Sequence, residues 1–562
     1  MAKRSDLEKE PPRRGVGSRQ RAVAPHGFQG GDVAPGNNDP HGAPAKALLK
    51  GWGRASGPRR ERRGPGRPSP FAGLRLGPKP GGMIVMKFGG SSVADAACMR
   101  EVAALVAGQL PGAPLVVLSA TARTTDTLIE AARCAERGEL EEALDRHRSL
   151  MARHRGIAAD LFPEGLPEAL DFALAELDAE LDLRLRGVAM LGELSLRSLD
   201  AIASVGERLS SRLLASLMAA PWVDARTVVR TDAVFGCARP LAKDLAALAR
   251  KHLAPLLGPG RAVVTQGFIG ATADGITTTL GRGGSDYSAA LLGAALGARD
   301  IQIWTDVEGV LTCDPRIVPQ ARNIAELSFN EAAELAAFGA KVLHPATIQP
   351  AVASGIPVTV RSTRHPQGRF TTITGQVRTG RPVTALAQRG PVTLLTVSSG
   401  TQLDPSGFLA MANLFQVFAR HRTSVDLIAA AEASVSFTVA DGEPLEALLE
   451  DLSGFGAVGI HRDRTIVSVV GERLRLTPGV TGRCFGALGQ INVELISMGA
   501  NEINLSFVVR REDADPALRA LHAALIEHPA AESEAVPGMR QPHRPLPQQP
   551  LRTGTPWRSA AT

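Results

Sequence analysis

The stretch MIVMKFGGSSVADAACMREVAALVAGQL, Met83–Leu110, decides the fold. Ile84–Phe88 is an apolar run of strand length, a glycine/serine loop follows, and Ala94–Leu110 carries apolar residues at three- and four-residue spacing. A buried strand that feeds a helix through a tight loop opens an α/β unit. The same pattern continues outward. Leu115–Leu118, Ala262–Ile269, Ile301–Trp304 and Pro357–Val360 read as short buried strands, with helices expected at Asp286–Leu296 and Asn330–Phe338 and a long helical region from Thr125 to about Met218. Helices between strands imply right-handed crossovers and a mainly parallel sheet covered on both faces.

After about Thr372 the chain repeats part of itself. Leu414-Phe415, Val425-Asp426-Leu427-Ile428 and Ser436-Phe437-Thr438-Val439 recur as Cys484-Phe485, Val493-Glu494-Leu495-Ile496 and Ser506-Phe507-Val508-Val509. The offset is 70 residues at both ends and 68 in the middle, a small difference in loop length. Two copies of a small α+β unit are expected, too few for a solenoid and suited to pairing or to binding a ligand between copies. The domain expectation is therefore one α/β unit over 83–375 and two small α+β units over 390–463 and 464–528.

The chain has 562 residues and a net charge of +7, and the charge is unevenly placed. Residues 1–82 carry 17 basic against 6 acidic side chains, a local +11, so the other 480 residues carry −4. The folded part thus gives no charge argument for a nucleic-acid or membrane partner. With 16 Gly and 12 Pro and no hydrophobic period, 1–82 is expected to be a disordered, dispensable extension before Met83. A second disordered tail is expected over 529–562, which at 34 residues is too short for a further domain. No apolar run approaches 18 residues, and the five cysteines are an odd number without a CxxC, which argues against a membrane span, a disulfide framework or a thiolate zinc site and suits a reducing cytoplasm.

Three glycine-containing loops follow expected strands, where an α/β sheet places its ligand. In KFGGSSV, Lys87–Val93, Gly89 and Gly90 let the backbone approach a phosphate, Ser91 and Ser92 add donors and Lys87 adds a cation. No GxxxxGK[ST] is present, so this is not a P-loop. In TTTLGRGGSDYSAA, Thr277–Ala290, three glycines flank Arg282, Ser285 is a candidate N-cap and Asp286 opens a helix; Arg282 suits a bidentate clamp on a carboxylate. In IWTDVEGVLTCDPR, Ile303–Arg316, Thr305 and Asp306 close a strand and Asp314-Pro315-Arg316 turns a cation toward a nucleotide.

Together with VLSATARTTDTL (Val117–Leu128), SVGERLSSRLL (Ser204–Leu214), VTQGFIGA (Val264–Ala271) and ELAAFGAKVLHPAT (Glu334–Thr347), these segments resemble, in order, the aspartate kinases of the amino-acid kinase family, from Ile84 to about Glu527. The C-terminal repeat resembles their tandem ACT modules of ferredoxin type. The resemblance implies transfer of the γ-phosphoryl of MgATP to the β-carboxylate of L-aspartate, with Mg²⁺ held mainly by the nucleotide phosphates. Lys87 would be the catalytic cation, Asp286 would organise it, and Arg282 would hold the substrate α-carboxylate. Glu207 would meet its ammonium, with Ser119 and Thr125 beside it. Lys87, Phe88, Gly89, Gly90 and Ser91, then Thr305, Asp306, Leu311, Arg316, Lys341 and Val342, would line the nucleotide. A Tyr is usual in the family at Leu311, so an adenine contact is lost there.

Residues Gly407–Val439 resemble the lysine-sensitive monofunctional members, with Ser424, Val425, Asp426 and Glu432 at effector positions. Gln402, Pro405 and Ala429–Ala431 depart from that pattern and remove hydrogen-bonding groups. Such a loss of two or three donors, at about 1 kcal/mol each, weakens effector binding by about 10². The family also implies a homodimer, or a dimer of dimers, through the ACT modules. Two other readings stand beside this one: a kinase of the same fold acting on another amino acid, and a catalytically silent amino-acid sensor built from the repeat.

Overall fold

The computed structural model describes residues 82–339, 345–375, 377, 381–398, 407–431, 433–441, 445–499 and 502–528. The two expected tails, apart from Gly82, lie outside these residues, as do Lys341, Val342, Gln402, Pro405 and Glu432. The strands are β1 (Ile84–Phe88), β2 (Leu115–Leu118), β3 (Trp222–Val223), β4 (Val263–Gln266), β5 (Ile269–Ala271), β6 (Thr277–Thr279), β7 (Asp300–Thr305), β8 (Glu326–Ser328), β9 (Val358–Ser362) and β10 (Thr371–Thr374), then β11 (Ala385–Ser398), β12 (Val425–Ala430), β13 (Ser434–Ala440), β14 (Ala457–Val470), β15 (Leu495–Met498) and β16 (Asn504–Arg510).

The first sheet has the order β3-β4-β2-β1-β7-β9-β10-β8. It is parallel from β3 to β9, β10 reverses against β9, and β8 runs parallel to β10. Each of the five residues of β1 is buried because both faces are covered. Ile84, Met86 and Phe88 face one core, with helix Ala96–Ala107 and the long helices beyond it; Val85 faces the other, with helix Gly284–Leu296. Period two then turns Lys87 toward the Val85 side, the side on which Asp286 stands.

Two expected elements break for identifiable reasons. The run Ala262–Ile269 divides at Phe268, whose φ of 68° no strand accommodates, so β4 stays in the main sheet while β5 pairs with β6 in a separate ribbon. The long helical region becomes Thr124–Glu136, Leu140–Leu161, Glu168–Leu191, Leu196–Ala203 and Val205–Leu217. Gly138, the Pro163–Pro167 turn and Gly192 interrupt it.

The second sheet is antiparallel, in the order β12-β13-β11-β14-β16-β15. The repeat is visible in its packing. Phe415 meets Phe437 edge-on at 6.3 Å, as Phe485 meets Phe507 at 5.5 Å; Thr396 bonds Ser436 at 2.9 Å, as Ser468 bonds Ser506 at 2.7 Å. Strands β11 and β14 run the full width of both copies, Ala385 opposite Val470 and Ser398 opposite Ala457. Residues 385–389, which lie between the expected catalytic and regulatory stretches, thereby supply the last strand of the second copy, so the first copy is an insertion within the second. Strands β12 and β15, at opposite ends of the order, touch, so the sheet folds back on itself.

Candidate active site

A cleft of about 570 Å³ opens at the carboxyl ends of β1, β2 and β4, with the loop after β6 across it. Lys87, Gly90, Ser119, Thr125, Glu207, Arg282 and Asp286, all named from the sequence, line it together. Their assembly depends on glycines that let loops touch. A Cβ at Gly90 would stand 2.7 Å from the carbonyl of Ala120, and one at Gly284 would stand 2.7 Å from the ring of Phe268. The expected N-cap Ser285 is replaced by Gly283, at φ 72°, because Gly281 and Gly283 both take left-handed backbone and start the helix earlier.

Lys87 Nζ lies 2.6 Å from Asp286 Oδ1, and both side chains are largely buried. Asp286 sits in the first turn of its helix, where the amide dipoles favour an anion. The pair delivers one cation, aligned along the floor of the cleft beside the Gly89–Gly90 turn. Arg282 is exposed at the rim and has no ion-pair partner among the described residues, so its fork is available to a carboxylate.

Glu207 is 3% exposed on helix Val205–Leu217. Its Oε1 accepts from the amide of Ala120 at 3.2 Å, while Oε2 is buried without a partner. Burial pushes its carboxyl up to about 8, against which the Ala120 hydrogen bond works only weakly. An orphaned carboxylate oxygen in a dry wall is a receptor for an ammonium group.

Asp200 escaped the sequence reading. It is 2% exposed, accepts from the amides of Gly236 and Thr279 and from the Thr279 hydroxyl at 2.7–3.1 Å, and so ties two loops into the cleft wall; burial raises its pKa. The available signal was its place seven residues before Glu207, as the one acidic side chain in Leu196–Gly206.

The nucleotide candidates gather less tightly. Thr305 and Asp306 end β7, and the Thr305 carbonyl accepts from Thr363. Leu311 and Arg316 line a second cavity of about 340 Å³ with Val307, Gly309 and Gly339, and share no lining residue with the first. The Arg316 guanidinium is held by Asp314 with hydrogen bonds of 2.5–3.2 Å. Phe88 is buried against Trp304, so only its backbone reaches the loop, and Ser91 is exposed. In the regulatory sheet, Ser424 is exposed and Val425 half-buried, and Asp426 Oδ1 lies 2.9 Å from Arg389.

A cleft at the carboxyl edge of a parallel sheet, with a glycine cradle, a buried lysine–aspartate pair and separate carboxylate and ammonium receptors, defines a small-molecule phosphotransferase. Residues 82–362 match the amino acid kinase family and residues 467–525 match the ACT domain. The chain is 40% identical over 458 residues to lysine-sensitive aspartokinase 3 of Escherichia coli, covering 79% of this chain and 99% of that protein. It is 36% identical to the chloroplastic aspartokinase 3 of Arabidopsis thaliana, over 80% and 82% of the two chains. The crystal structure of E. coli aspartokinase III with aspartate and ADP superposes with a TM-score of 0.68 at 40% identity, over 79% of this chain and 99% of that one. The chain belongs to the amino acid kinase family, and its relatives within that family are aspartokinases.

Proposed function

We propose that the protein is an ATP-dependent aspartate kinase, forming 4-phospho-L-aspartate and ADP. The observation that carries this reading is the pairing, in one cleft, of a rim guanidinium with a buried unpartnered carboxylate oxygen, Arg282 and Glu207, beside the Lys87–Asp286 pair. An amino acid held at both its α-groups leaves only its side-chain carboxylate to point at the phosphate cradle.

The nucleophile is that carboxylate, already ionised at neutral pH, so no general base is needed. The obstacle is repulsion between an anion and a polyanion. Lys87 neutralises charge on the transferring group, Asp286 fixes its direction, and the bare backbone of the Gly89–Gly90 turn lets the phosphates approach in line. The terminal oxygen–phosphorus bond of ATP breaks as the new one forms, and ADP leaves with the electron pair. Mg²⁺ would be held mainly by the nucleotide phosphates and would offset their charge; the single group of three metal-capable side chains among the described residues, Cys134, Glu139 and Glu142, does not line the cleft. Thr305, Asp306, Arg316, Lys341 and Val342 contact the nucleotide.

The ACT sheet binds an amino-acid effector, lysine, through Ser424, Val425, Asp426 and Glu432, and joins two copies in a cytoplasmic homodimer. The E. coli relative has been crystallised with lysine and aspartate at 39% identity and a TM-score of 0.67, which supports the choice of lysine. Trapping the acyl phosphate as its hydroxamate tests the reading: turnover with L-aspartate and none with L-glutamate is expected. Equal turnover of both acids, or of neither, overturns it.

A further inference from the structure

Beneath the Ser119–Thr125 wall a chain of hydrogen bonds leads from Thr121, at the edge of the cleft, to His154, which does not line it. Thr121, Thr124 and His154 are each 0–1% exposed. His154 Nδ1 is 2.8 Å from the carbonyl of Leu150, which can only accept, so the ring proton is on Nδ1. A neutral ring then has Nε2 as an acceptor, and the Thr121 hydroxyl, 3.1 Å away, donates to it. The Thr124 hydroxyl, 2.6 Å from Thr121 Oγ1, must donate in turn, and Arg153 closes the chain by donating to both hydroxyls and to the carbonyl of Ala122 at 3.1 Å. Every proton in the series has one direction, from Arg153 through the threonines to His154 and Leu150. Burial, reinforced by the neighbouring Arg153 charge, lowers His154 to about 4, consistent with a neutral ring.

This chain holds an awkward piece of backbone. Arg123 stands at φ 63°, at the start of helix Thr124–Glu136 without a side-chain cap, a conformation that a non-glycine residue keeps only when its neighbours impose it. The Thr121 and Thr124 hydroxyls anchor the turn on its inner side, while Ser119, Arg123 and Thr125, with part of Thr121 beside them, line the cleft and His154 does not.

We propose that His154 is a positioning residue for L-aspartate: as the terminal acceptor of this chain it sets the Ser119–Thr125 turn against the substrate without touching it. The proposal rests on the aspartate kinase reading, and turnover of aspartate by the unaltered protein checks that reading separately. The test is steady-state kinetics of the full chain with His154→Leu, His154→Gln and Thr121→Val, each variant's thermal midpoint confirming that it is folded. Leu has no acceptor, Gln offers Oε1 to the Thr121 hydroxyl, and Val removes that hydroxyl at constant shape. His154→Leu and Thr121→Val should raise the KM for aspartate about tenfold, the loss of about one buried hydrogen bond, with the KM for ATP within about twofold. His154→Gln should return the aspartate KM to within about threefold of the parent. An unchanged aspartate KM in Thr121→Val or in a folded His154→Leu, parallel rises in both KM values, or failure of Gln to recover would each overturn the proposal.

Discussion

Glu207 holds a proton in the ligand-free protein at neutral pH, since burial has pushed its carboxyl up to about 8. An arriving ammonium requires the ionised form, so kcat/KM for aspartate should rise from pH 6, reach half its maximum near 8 and level off above that. Glu207→Gln should flatten that profile and raise the aspartate KM by about 10², the cost of one charge-assisted hydrogen bond. The same raised pKa stabilises the fold with the proton on: this contribution is full below the unfolded value of 4.5 and is lost as pH rises through 8. The thermal midpoint of the unliganded protein should therefore fall between pH 5 and 9, and fall less in Glu207→Gln. A flat kcat/KM profile in the parent protein would contradict the assignment. Lys87→Met should lower kcat by about 10² or more and leave the aspartate KM within a few-fold, because its cation acts on charge that develops during transfer.

Glycines and caps decide how the elements meet. A Cβ at Gly206 would stand 2.8 Å from Ala120 Cβ and 2.9 Å from Thr124 Cγ2, so Gly206→Ala should push the substrate turn off helix Val205–Leu217 and raise the aspartate KM about tenfold or more, with ATP little affected. Helix Phe329–Ala337, which runs into the segment bearing Lys341, is tied to the regulatory sheet from end to end. Glu331 accepts from Thr384, Glu334 accepts from Asn504 at 2.8 Å, and the carbonyl of Ala337 accepts from Arg389 at 3.2 Å. Arg389 also pairs with Asp426, the expected effector residue. A lysine ammonium on Asp426 would compete with Arg389, which would give the effector a route to helix Phe329–Ala337. Arg389→Ala should therefore bind lysine more tightly by calorimetry yet be inhibited less by it, whereas Asp426→Ala should lose both; unchanged inhibition in Arg389→Ala rejects the route. These links join residues far apart in the chain, which is why sequence reading found Lys87, Asp286, Arg282 and Glu207 inside local motifs and missed Asp200, His154 and Arg389. Apolar runs of strand length marked β1 and β2, and a period of 3.6 marked the helices. They did not reveal that Ala262–Ile269 breaks at Phe268, because apolar content is the same on both sides of that bend.

At the scale of the molecule, the repeat was legible in its paired Leu-Phe, Val-x-Leu-Ile and Ser-Phe segments, while its interleaving was not. Only pairing shows that residues 385–389 complete the second copy. One consequence is structural: the strand leaving the catalytic unit belongs to the copy that holds the other, so the two copies share β11 and β14. The repeat leaves related apolar residues partly exposed on each copy, Phe415 and Ile428 on one, Phe485 and Ile496 on the other. A homodimer would cover some of them, and light scattering should then give twice the 59.0 kDa chain mass. A monomer at micromolar concentration would contradict pairing through this sheet. Attack of the β-carboxylate of aspartate on the γ-phosphorus can be followed with L-aspartate carrying ¹⁸O in that carboxylate, by hydroxylamine cleavage of the product and mass analysis of the released phosphate. The bridging oxygen stays with phosphorus in that cleavage, so phosphate bearing one ¹⁸O is expected; phosphate without label would mean that water, not aspartate, had been the acceptor.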